Sequence, residues 1–334
     1  MSIGIRAIEY VLPQKILTNE ELAQLYEDWT SEKILAKTGL ASRHVVSENE
    51  CASDLAERAA QKLFDSKVIL PKDIDFILLA TQSPDYLLPT TSCILQDKLG
   101  IPQTAGALDF NLGCSAYIYG LAMAKSLINT GIAKNVLFIT SETYTKHIHP
   151  QDKSTRTIFG DAAAATLVSV GGHEIGNFDL GTDGSGKNAL IIPAGGAKLA
   201  RSNITAETEE DVDGVIRSQD NLFMDGAEVF NFTLRVVPES VKTILKKHNL
   251  VIDDIDLFVF HQANKFMLNF LRQKMKIPQE RFYINIQDIG NTVSATIPIA
   301  LKRAEEEGRL HKGDKVLLVG FGVGLSWGST LITY

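Results

Sequence analysis

The chain has 334 residues, of which 45% are hydrophobic and 22% are charged, a composition typical of a globular protein with a substantial core. The net charge of −7 argues against a protein that mainly binds nucleic acid. No run of about 18 apolar residues is present, so no membrane span is expected. The first residues lack the charged and then apolar layout of a signal peptide, and a cytoplasmic location is therefore expected.

The cysteines and clustered histidines do not form a metal-binding pattern. The cysteines are Cys51, Cys93 and Cys114, and their odd number and wide spacing indicate neither a disulfide framework nor a zinc site. His147 and His149 have no acidic or cysteine partner at metal-ligand spacing, and we interpret them as loop residues. No metal is therefore expected.

Taken in chain order, the predicted elements form a long internal repeat. Residues 73–103 open with Asp-Ile-Asp, contain a buried-type strand and an amphipathic helix, and close with Ile-Pro-Gln; residues 254–279 follow the same scheme. The next segments, 109–139 and 286–320, also correspond. In each, a strand leads to a glycine, a helix runs to a second glycine, and another strand follows.

This alternation of strands and helices predicts an α/β fold in which helices cover parallel sheets. We assign one thiol-bearing half to residues 1–170 and a second, similar half to residues 171–334. A duplicated unit of this kind brings equivalent helix N-termini together near a pseudo-two-fold axis, and such a position favours a functional site.

The repeat predicts that three reactive or polar residues meet at that position. Cys114 begins the helix of the first copy, and Asn291 is its equivalent in the second. His261 ends a predicted strand, and the carboxyl ends of parallel strands face the ligand-binding edge of an α/β sheet. A thiol at a helix N-terminus is expected to favour the thiolate, and a nearby imidazole can assist it.

Each of the three residues also has a purely structural interpretation. Cys114 suits a buried core cysteine, and His261 follows four apolar residues and suits a hydrogen-bonded core histidine. Asn291 suits a helix cap or a turn. Taken singly, the residues leave both interpretations open. The repeat favours a shared site, because a chance meeting of all three is improbable.

Six motifs extend the pattern over essentially the whole chain. In order they are KTGLASRH (37–44), NLGCSAY (111–117), RTIFGDAAAA (156–165), HQAN (261–264), DIGNTVSATIP (288–298) and GFGVGLSWGS (320–329). This set resembles β-ketoacyl-acyl-carrier-protein synthase III of the thiolase superfamily. The resemblance implies a thiolase-like duplicated αβαβα five-layer architecture, with the nucleophilic cysteine in the first half and the histidine and asparagine in the second.

The resemblance also implies a decarboxylative Claisen condensation that yields a 3-oxoacyl thioester. Cys114 would take an acyl group from an acyl-CoA or acyl carrier, and His261 and Asn291 would hydrogen-bond the thioester carbonyl of a malonyl carrier as it loses carbon dioxide. The backbone amides of Cys114 and Val323 would form the oxyanion hole, although this family usually has glycine where Val323 stands. Apart from coenzyme A or phosphopantetheine thioesters as substrates, no cofactor is implied.

Further contacts to substrate and partner follow from the same resemblance. Leu88, contributed by the second subunit of a homodimer, and Phe159 would shape the acyl pocket. The residues assigned to phosphates of coenzyme A or of the carrier are Lys33, Lys37, Lys153 and Asn264. The residues assigned to docking of an acidic acyl carrier protein are Lys265, Arg272 and Lys274.

Three positions depart from the family member best suited to coenzyme A. Lys33 and Lys153 stand where that protein has a tryptophan and an arginine, and Phe266 stands where an arginine is usual. Lysine can pair with phosphates but stacks poorly on a base. The condensation is therefore expected to serve fatty-acid initiation or a specialised acyl pathway, with a specialised acyl donor as an alternative to acetyl-CoA.

Three other functions fit parts of the pattern. An acyltransferase of the same fold would pass the acyl group from Cys114 to an alcohol, amine or sugar. A papain-like cysteine peptidase also uses Cys, His and Asn in this order, but the sequence around Cys114 lacks the peptidase context, and a peptidase gives no reason for the duplication. A duplicated binding scaffold without activity would have no reason to keep all three residues.

Overall fold

The computed structural model describes residues 2–334 and has an α/β architecture. The strands are β1 (Ile3–Val11), β2 (Lys15–Thr18), β3 (Ser42–Val45), β4 (Phe76–Ala80), β5 (Gly106–Phe110), β6 (Asn135–Glu142), β7 (Ala162–Val170), β8 (His173–Thr182), β9 (Leu190–Ile191), β10 (Glu209–Glu210), β11 (Ile216–Arg217), β12 (Phe223–Met224), β13 (Leu257–Phe260), β14 (Phe282–Tyr283), β15 (Lys315–Gly322) and β16 (Ser326–Thr333). The helices are α1 (Asn19–Ala23), α2 (Ser31–Thr38), α3 (Ala52–Asp65), α4 (Thr91–Lys98), α5 (Ala116–Asn129), α6 (Lys153–Arg156), α7 (Gly226–Lys247), α8 (Lys265–Lys274) and α9 (Thr296–Glu306).

The main sheet has the order β14-β13-β15-β16-β8-β1-β7-β6-β4-β5 and consists of two equivalent sets of five strands. In the first set, β4 runs parallel to β5 and β6, whereas β7 runs antiparallel to β6 and β1. The second set repeats this with β13, β14, β15, β16 and β8. The sets meet where β1 and β8 pair, at Gly4 with Glu174 and Ile5 with His173. The predicted duplication is therefore confirmed.

The sheet is mixed, whereas the sequence predicts parallel sheets. The difference arises at β7 and β16, which return antiparallel to the strand before them. Only parallel neighbours need a crossover helix, so an antiparallel strand can follow a short connection. The connection between β15 and β16 is the turn 323–325.

The helices form three layers around the two halves of the sheet. Helices α3 and α4 pack on the first half, and α7 packs on the second. Helix α8 packs against α7, and its Leu268 and Leu271 belong to the same buried hydrophobic cluster as Phe258 of β13. Helices α5 and α9 contact strands of both halves and lie between them. This is the predicted αβαβα arrangement. Strand β7 ends at Val170 and β8 begins at His173, and the division into domains at that point remains a prediction.

The central helices begin beside the predicted site. Helix α5 follows Cys114 by two residues and ends before Gly131, whose φ of +75° is the left-handed conformation common after helices. The second copy differs from the prediction, because Asn291 does not begin a helix. A 3₁₀ turn over Val293–Ala295 intervenes, and α9 begins at Thr296.

Candidate active site

Cys114, His261 and Asn291 line a single cavity of about 150 Å³. All three are buried, with exposed fractions of 5%, 2% and 4%. Most of the remaining wall is apolar and consists of Ile158, Phe159, Leu190, Met224, Gly226, Val229, Ala263, Asn264, Met267, Phe321 and Gly322. The folded chain thus brings together residues that are far apart in sequence, and an apolar wall suits an acyl chain.

Strand β15 packs directly on Cys114. A Cβ placed on Gly322 would lie 2.8 Å from the Cβ and 3.0 Å from the Sγ of Cys114. A Cβ placed on Gly320 would lie 2.9 Å from the carbonyl oxygen of Cys114. The glycines of this strand therefore allow the backbone to approach the thiol closely.

Two backbone amides beside the thiol are available to a ligand. The N–H groups of Cys114 and Val323 form no hydrogen bond with any group of residues 2–334. The φ angle of Val323 lies outside the left-handed region, so valine adopts this backbone without strain where glycine is usual. Both amides are therefore free to donate to an oxyanion.

The thiol of Cys114 is neutral in this environment. Burial, and to a smaller extent the Glu142 carboxyl, raise the pKa of Cys114 well above its ordinary value. Burial also raises the pKa of Glu142 to about 8, so this carboxyl is largely protonated at neutral pH and contributes little charge. The predicted thiolate is not supported, because desolvating a buried ion costs several kcal/mol, whereas a helix terminus contributes about 0.3–1 kcal/mol.

His261 follows the end of β13 with one ring nitrogen held by a hydroxyl. Its Nδ1 lies 2.7 Å from the Oγ1 of Thr296. The ring meets Phe321 edge to face, with centroids 5.4 Å apart. Burial lowers the pKa of His261 to about 3, so the imidazole is neutral at physiological pH and carries a single N–H.

The amide of Asn291 is oriented by its own turn. Its Oδ1 accepts a hydrogen bond of 2.9 Å from the backbone N–H of Val293. The backbone of Asn291 is fixed on both sides, because its N–H donates to Ile158 O and its carbonyl accepts from the N–H of Gly160. The Nδ2 group is left as a donor at the cavity wall.

Two residues that sequence reasoning missed hold this arrangement together. Glu142, at the end of β6, accepts hydrogen bonds from the Ser294 hydroxyl at 2.8 Å and from the Gln82 N–H at 3.0 Å. It thereby joins the loop after β4 to the turn that carries Asn291. A carboxyl at the end of a strand with a central apolar run, Val136–Ile139, was the available signal. Thr296, the partner of His261, gave no comparable signal.

The predicted substrate residues lie in different places. Phe159 and Asn264 line the cavity, and the Asn264 side chain also caps α8 by accepting from the Met267 N–H at 2.8 Å. Leu88 is 82% exposed and lies outside the cavity of its own subunit. A role for Leu88 in the pocket therefore requires a second chain, as predicted.

Two of the three predicted phosphate-binding lysines lie over one tryptophan, and the third lies beside an aspartate. The Nζ atoms of Lys33 and Lys37 lie 5.5 and 4.7 Å from the centroid of the Trp29 ring. The Nζ of Lys153 lies 3.7 Å from a carboxylate oxygen of Asp28. None of these residues lines the cavity, and their contact with a substrate remains a prediction.

The residues predicted to dock a carrier protein lie on α8. Lys265 and Lys274 are exposed. Arg272 is half-buried and donates a hydrogen bond of 3.2 Å to the carbonyl of Ile277. Lys274 Nζ also donates a hydrogen bond of 2.9 Å, to the carbonyl of Leu234, although its side chain is exposed.

No helix within residues 2–334 is both long and apolar enough to cross a membrane. In the same part of the chain, no three side chains of His, Cys, Asp or Glu are grouped to hold a metal ion.

The chain is similar in sequence and in structure to the members of one protein family. Residues 108–184 match the family described as 3-oxoacyl-[acyl-carrier-protein] synthase III, and residues 245–334 match its C-terminal region. A β-ketoacyl-[acyl-carrier-protein] synthase III of Caldanaerobacter subterraneus is 37% identical over 336 residues, covering 100% of this chain and 98% of the relative. One of Clostridium perfringens is 39% identical over 322 residues, covering 96% and 95%.

Solved structures agree. A 3-oxoacyl-(acyl-carrier-protein) synthase III superimposes with a TM-score of 0.98 at 48% identity and complete coverage of both chains. The enzyme of Thermus thermophilus gives a TM-score of 0.87 at 35% identity over 99% of each chain. The class defined by the duplicated fold is that of the thiolase-fold proteins. Within that class, this chain belongs to the β-ketoacyl-[acyl-carrier-protein] synthase III family.

Proposed function

We propose that the protein condenses an acyl group held on Cys114 with a malonyl-carrier thioester and releases carbon dioxide. The observation that carries the proposal is the single cavity lined by Cys114, His261 and Asn291, in a chain of this family. The product is a 3-oxoacyl thioester, and the reaction belongs to fatty-acid initiation or a related acyl pathway.

In the first step the sulfur of Cys114 attacks the carbonyl carbon of the donor thioester. A new carbon–sulfur bond forms, the bond to the donor sulfur breaks, and the proton of the Cys114 thiol leaves with the donor thiol. The free N–H groups of Cys114 and Val323 stabilise the oxyanion formed in between.

In the second step the malonyl group loses carbon dioxide. The electron pair of the broken carbon–carbon bond moves into the thioester, where His261 and Asn291 donate hydrogen bonds to the enolate oxygen. Two neutral donors suit this task, because the buried cavity strengthens their dipoles without requiring a buried charge.

In the third step the carbanion attacks the acyl carbon on Cys114. A carbon–carbon bond forms, the carbon–sulfur bond to Cys114 breaks, and the sulfur takes up one proton from solvent to regenerate the thiol. The atoms balance without an oxidant, a metal or a resident cofactor, so coenzyme A and phosphopantetheine enter only as carriers of the substrates.

We propose that an acyl carrier protein docks beside α8. The exposed charges of Lys265 and Lys274 would attract an acidic carrier at long range. Phe266 is 62% exposed and stacks with Phe230 at 5.7 Å, which adds an apolar contact where an arginine is usual.

Lys33, Lys37 and Lys153 remain proposed contacts for donor phosphates.

We also propose that the protein is a homodimer. Strand β5 is at the edge of the sheet, and its Leu108 lies in an exposed apolar depression together with Ile132 and Leu180. An exposed edge strand with apolar neighbours invites pairing with a second chain. Dimerisation would give Leu88 a route to the partner's pocket.

The experiment is intact-protein mass spectrometry with panels of acyl-CoA and acyl-carrier donors, run beside the Cys114→Ala variant. We expect a donor-specific mass gain that the variant lacks and that malonyl carrier discharges. A gain that malonyl carrier leaves in place, but an alcohol, amine or sugar removes, would instead indicate the acyltransferase. No gain from any donor would contradict the role of Cys114.

A further inference from the structure

The neutral ring of His261 has one proton for two nitrogens, and the proposed function needs it on Nε2. The ring nitrogen Nδ1 is held by Thr296, whereas Nε2 forms no hydrogen bond within residues 2–334 and is the nitrogen available at the cavity. An Nε2 that stabilises an enolate must donate, so Nδ1 must then be the acceptor. The group that faces Nδ1 must therefore donate a hydrogen bond to it.

We propose that Thr296 is a positioning residue that donates its hydroxyl proton to His261 Nδ1 and so places the imidazole proton on Nε2. The inference rests on the proposed function and specifies how its enolate-stabilising pair is prepared. A hydroxyl is suited to this role because it can donate. A carbonyl or a carboxylate at Nδ1 would instead force the opposite tautomer.

A second acceptor competes for the same proton. The Oγ1 of Thr296 lies 3.0 Å from the backbone carbonyl of Val293 and 2.7 Å from His261 Nδ1. The hydroxyl can rotate between the two acceptors. The shorter contact favours donation to the imidazole when Nε2 carries the proton.

The same turn orients the other donor. Val293 has a φ of +55°, which is uncommon for a β-branched residue, and its N–H fixes Asn291 by donating to Oδ1 at 2.9 Å. Its carbonyl is the group that lies beside the Thr296 hydroxyl. One strained peptide segment thus links the orientation of Asn291 to the tautomer of His261.

The direct test is ¹⁵N NMR of the enzyme labelled on its seven histidines, with the His261 signals identified by their loss in His261→Gln. We expect Nε2 of His261 to show the shift of a protonated nitrogen and Nδ1 that of an acceptor. The reverse pattern, with the proton on Nδ1, would overturn the inference even if every variant were inactive.

Kinetics supply a second readout. Thr296→Val removes the hydroxyl at nearly constant volume and is expected to slow carbon dioxide release from malonyl carrier by about 10–100-fold. The acylation of Cys114 should fall much less, and Thr296→Ser should recover carbon dioxide release to within about threefold of the wild type. The matched control is Thr292→Val, because the hydroxyl of Thr292 is buried in the same turn without a hydrogen-bond partner among residues 2–334.

Different results would contradict the proposed function and the role of Thr296. If the wild-type enzyme releases no carbon dioxide from malonyl carrier with any acyl donor, the proposed function fails. If the wild type does so while Thr296→Val matches it, or while Thr292→Val is equally slow, the inference about Thr296 fails and the proposed function stands.

Discussion

At the scale of single residues, the site combines a neutral thiol with neutral hydrogen-bond donors. Burial raises the pKa of Cys114 and lowers that of His261, so neither carries a charge at rest. A site of this kind avoids the cost of buried ions and develops charge only as the reaction proceeds.

Gly322 is the residue that keeps space for the thiol. In Gly322→Ala, the Cβ of the alanine would lie 2.8 Å from the Cβ of Cys114. We therefore expect this substitution to lower the free energy of unfolding by about 1–3 kcal/mol. It should also slow the acylation of Cys114 at least about tenfold. Urea unfolding and the rate of mass gain measure the two effects. Gly196→Ala, where a Cβ meets open space, is the control; equal behaviour of the two variants would contradict the packing argument.

Glu142 should make stability depend on pH. Burial raises its pKa from the ordinary 4.5 to about 8, so the folded chain keeps a proton that the unfolded chain releases above 4.5. The contribution of Glu142 is therefore complete at low pH and is lost as pH rises towards 8. We expect the free energy of unfolding of the wild type to fall relative to that of Glu142→Gln across this window, as measured by urea unfolding.

Glu239, which is 74% exposed at its side chain, supplies the control for this experiment. Glu239→Gln should keep the pH dependence of the wild type. If Glu142→Gln also keeps it, the buried carboxyl does not hold its proton in the folded chain.

At the scale of elements, α5 and α9 are placed by their packing between the two halves of the sheet. Gly120 of α5 lies against β6, and a Cβ there would be 2.1 Å from the ring of Phe138. Alanine is the better helix former by about 1 kcal/mol, but overpacking costs about 1–3 kcal/mol. We therefore expect Gly120→Ala to destabilise the protein in thermal unfolding.

The matched experiment adds Phe138→Leu, which makes room for the new methyl group. The double variant should be less destabilised than the sum of the two single changes. Strict additivity, or a stabilising Gly120→Ala, would show that the ring of Phe138 does not set the helix position.

The elements that a local sequence pattern marks are the ones that can be predicted from the sequence. Helix α5 follows from apolar periodicity, and the strand before His261 follows from a continuous apolar run. The internal repeat pairs Cys114 with Asn291. Antiparallel β7 and β16 were missed, because strand direction depends on connections rather than on composition.

The supporting contacts of the site were also missed, for a different reason. Thr296 reaches His261 across 35 residues of sequence, and Ser294 reaches Glu142 across 152. No local period marks such pairs, so they emerge only when the chain is folded.

At the scale of the whole molecule, the exposed edge of β5 predicts a dimer. We expect sedimentation to show twice the chain mass of 36.6 kDa, and Leu108→Asp to give monomers, because a charge would then lie in the apolar depression. Leu70, which is 46% exposed and lies outside this depression, supplies the control Leu70→Asp. A monomeric wild type would contradict the proposed route of Leu88 to a partner's pocket.

Under the proposed function, Cys114 carries the acyl group while His261 and Asn291 promote the loss of carbon dioxide. The most direct measurement uses malonyl carrier labelled in its free carboxyl group and counts carbon dioxide against 3-oxoacyl product. We expect one carbon dioxide per product in the wild type. In His261→Ala and in Asn291→Ala, Cys114 should still be acylated, but the malonyl carrier should lose carbon dioxide at least about 100-fold more slowly. Normal carbon dioxide release by both variants, or product formed without it, would contradict the account.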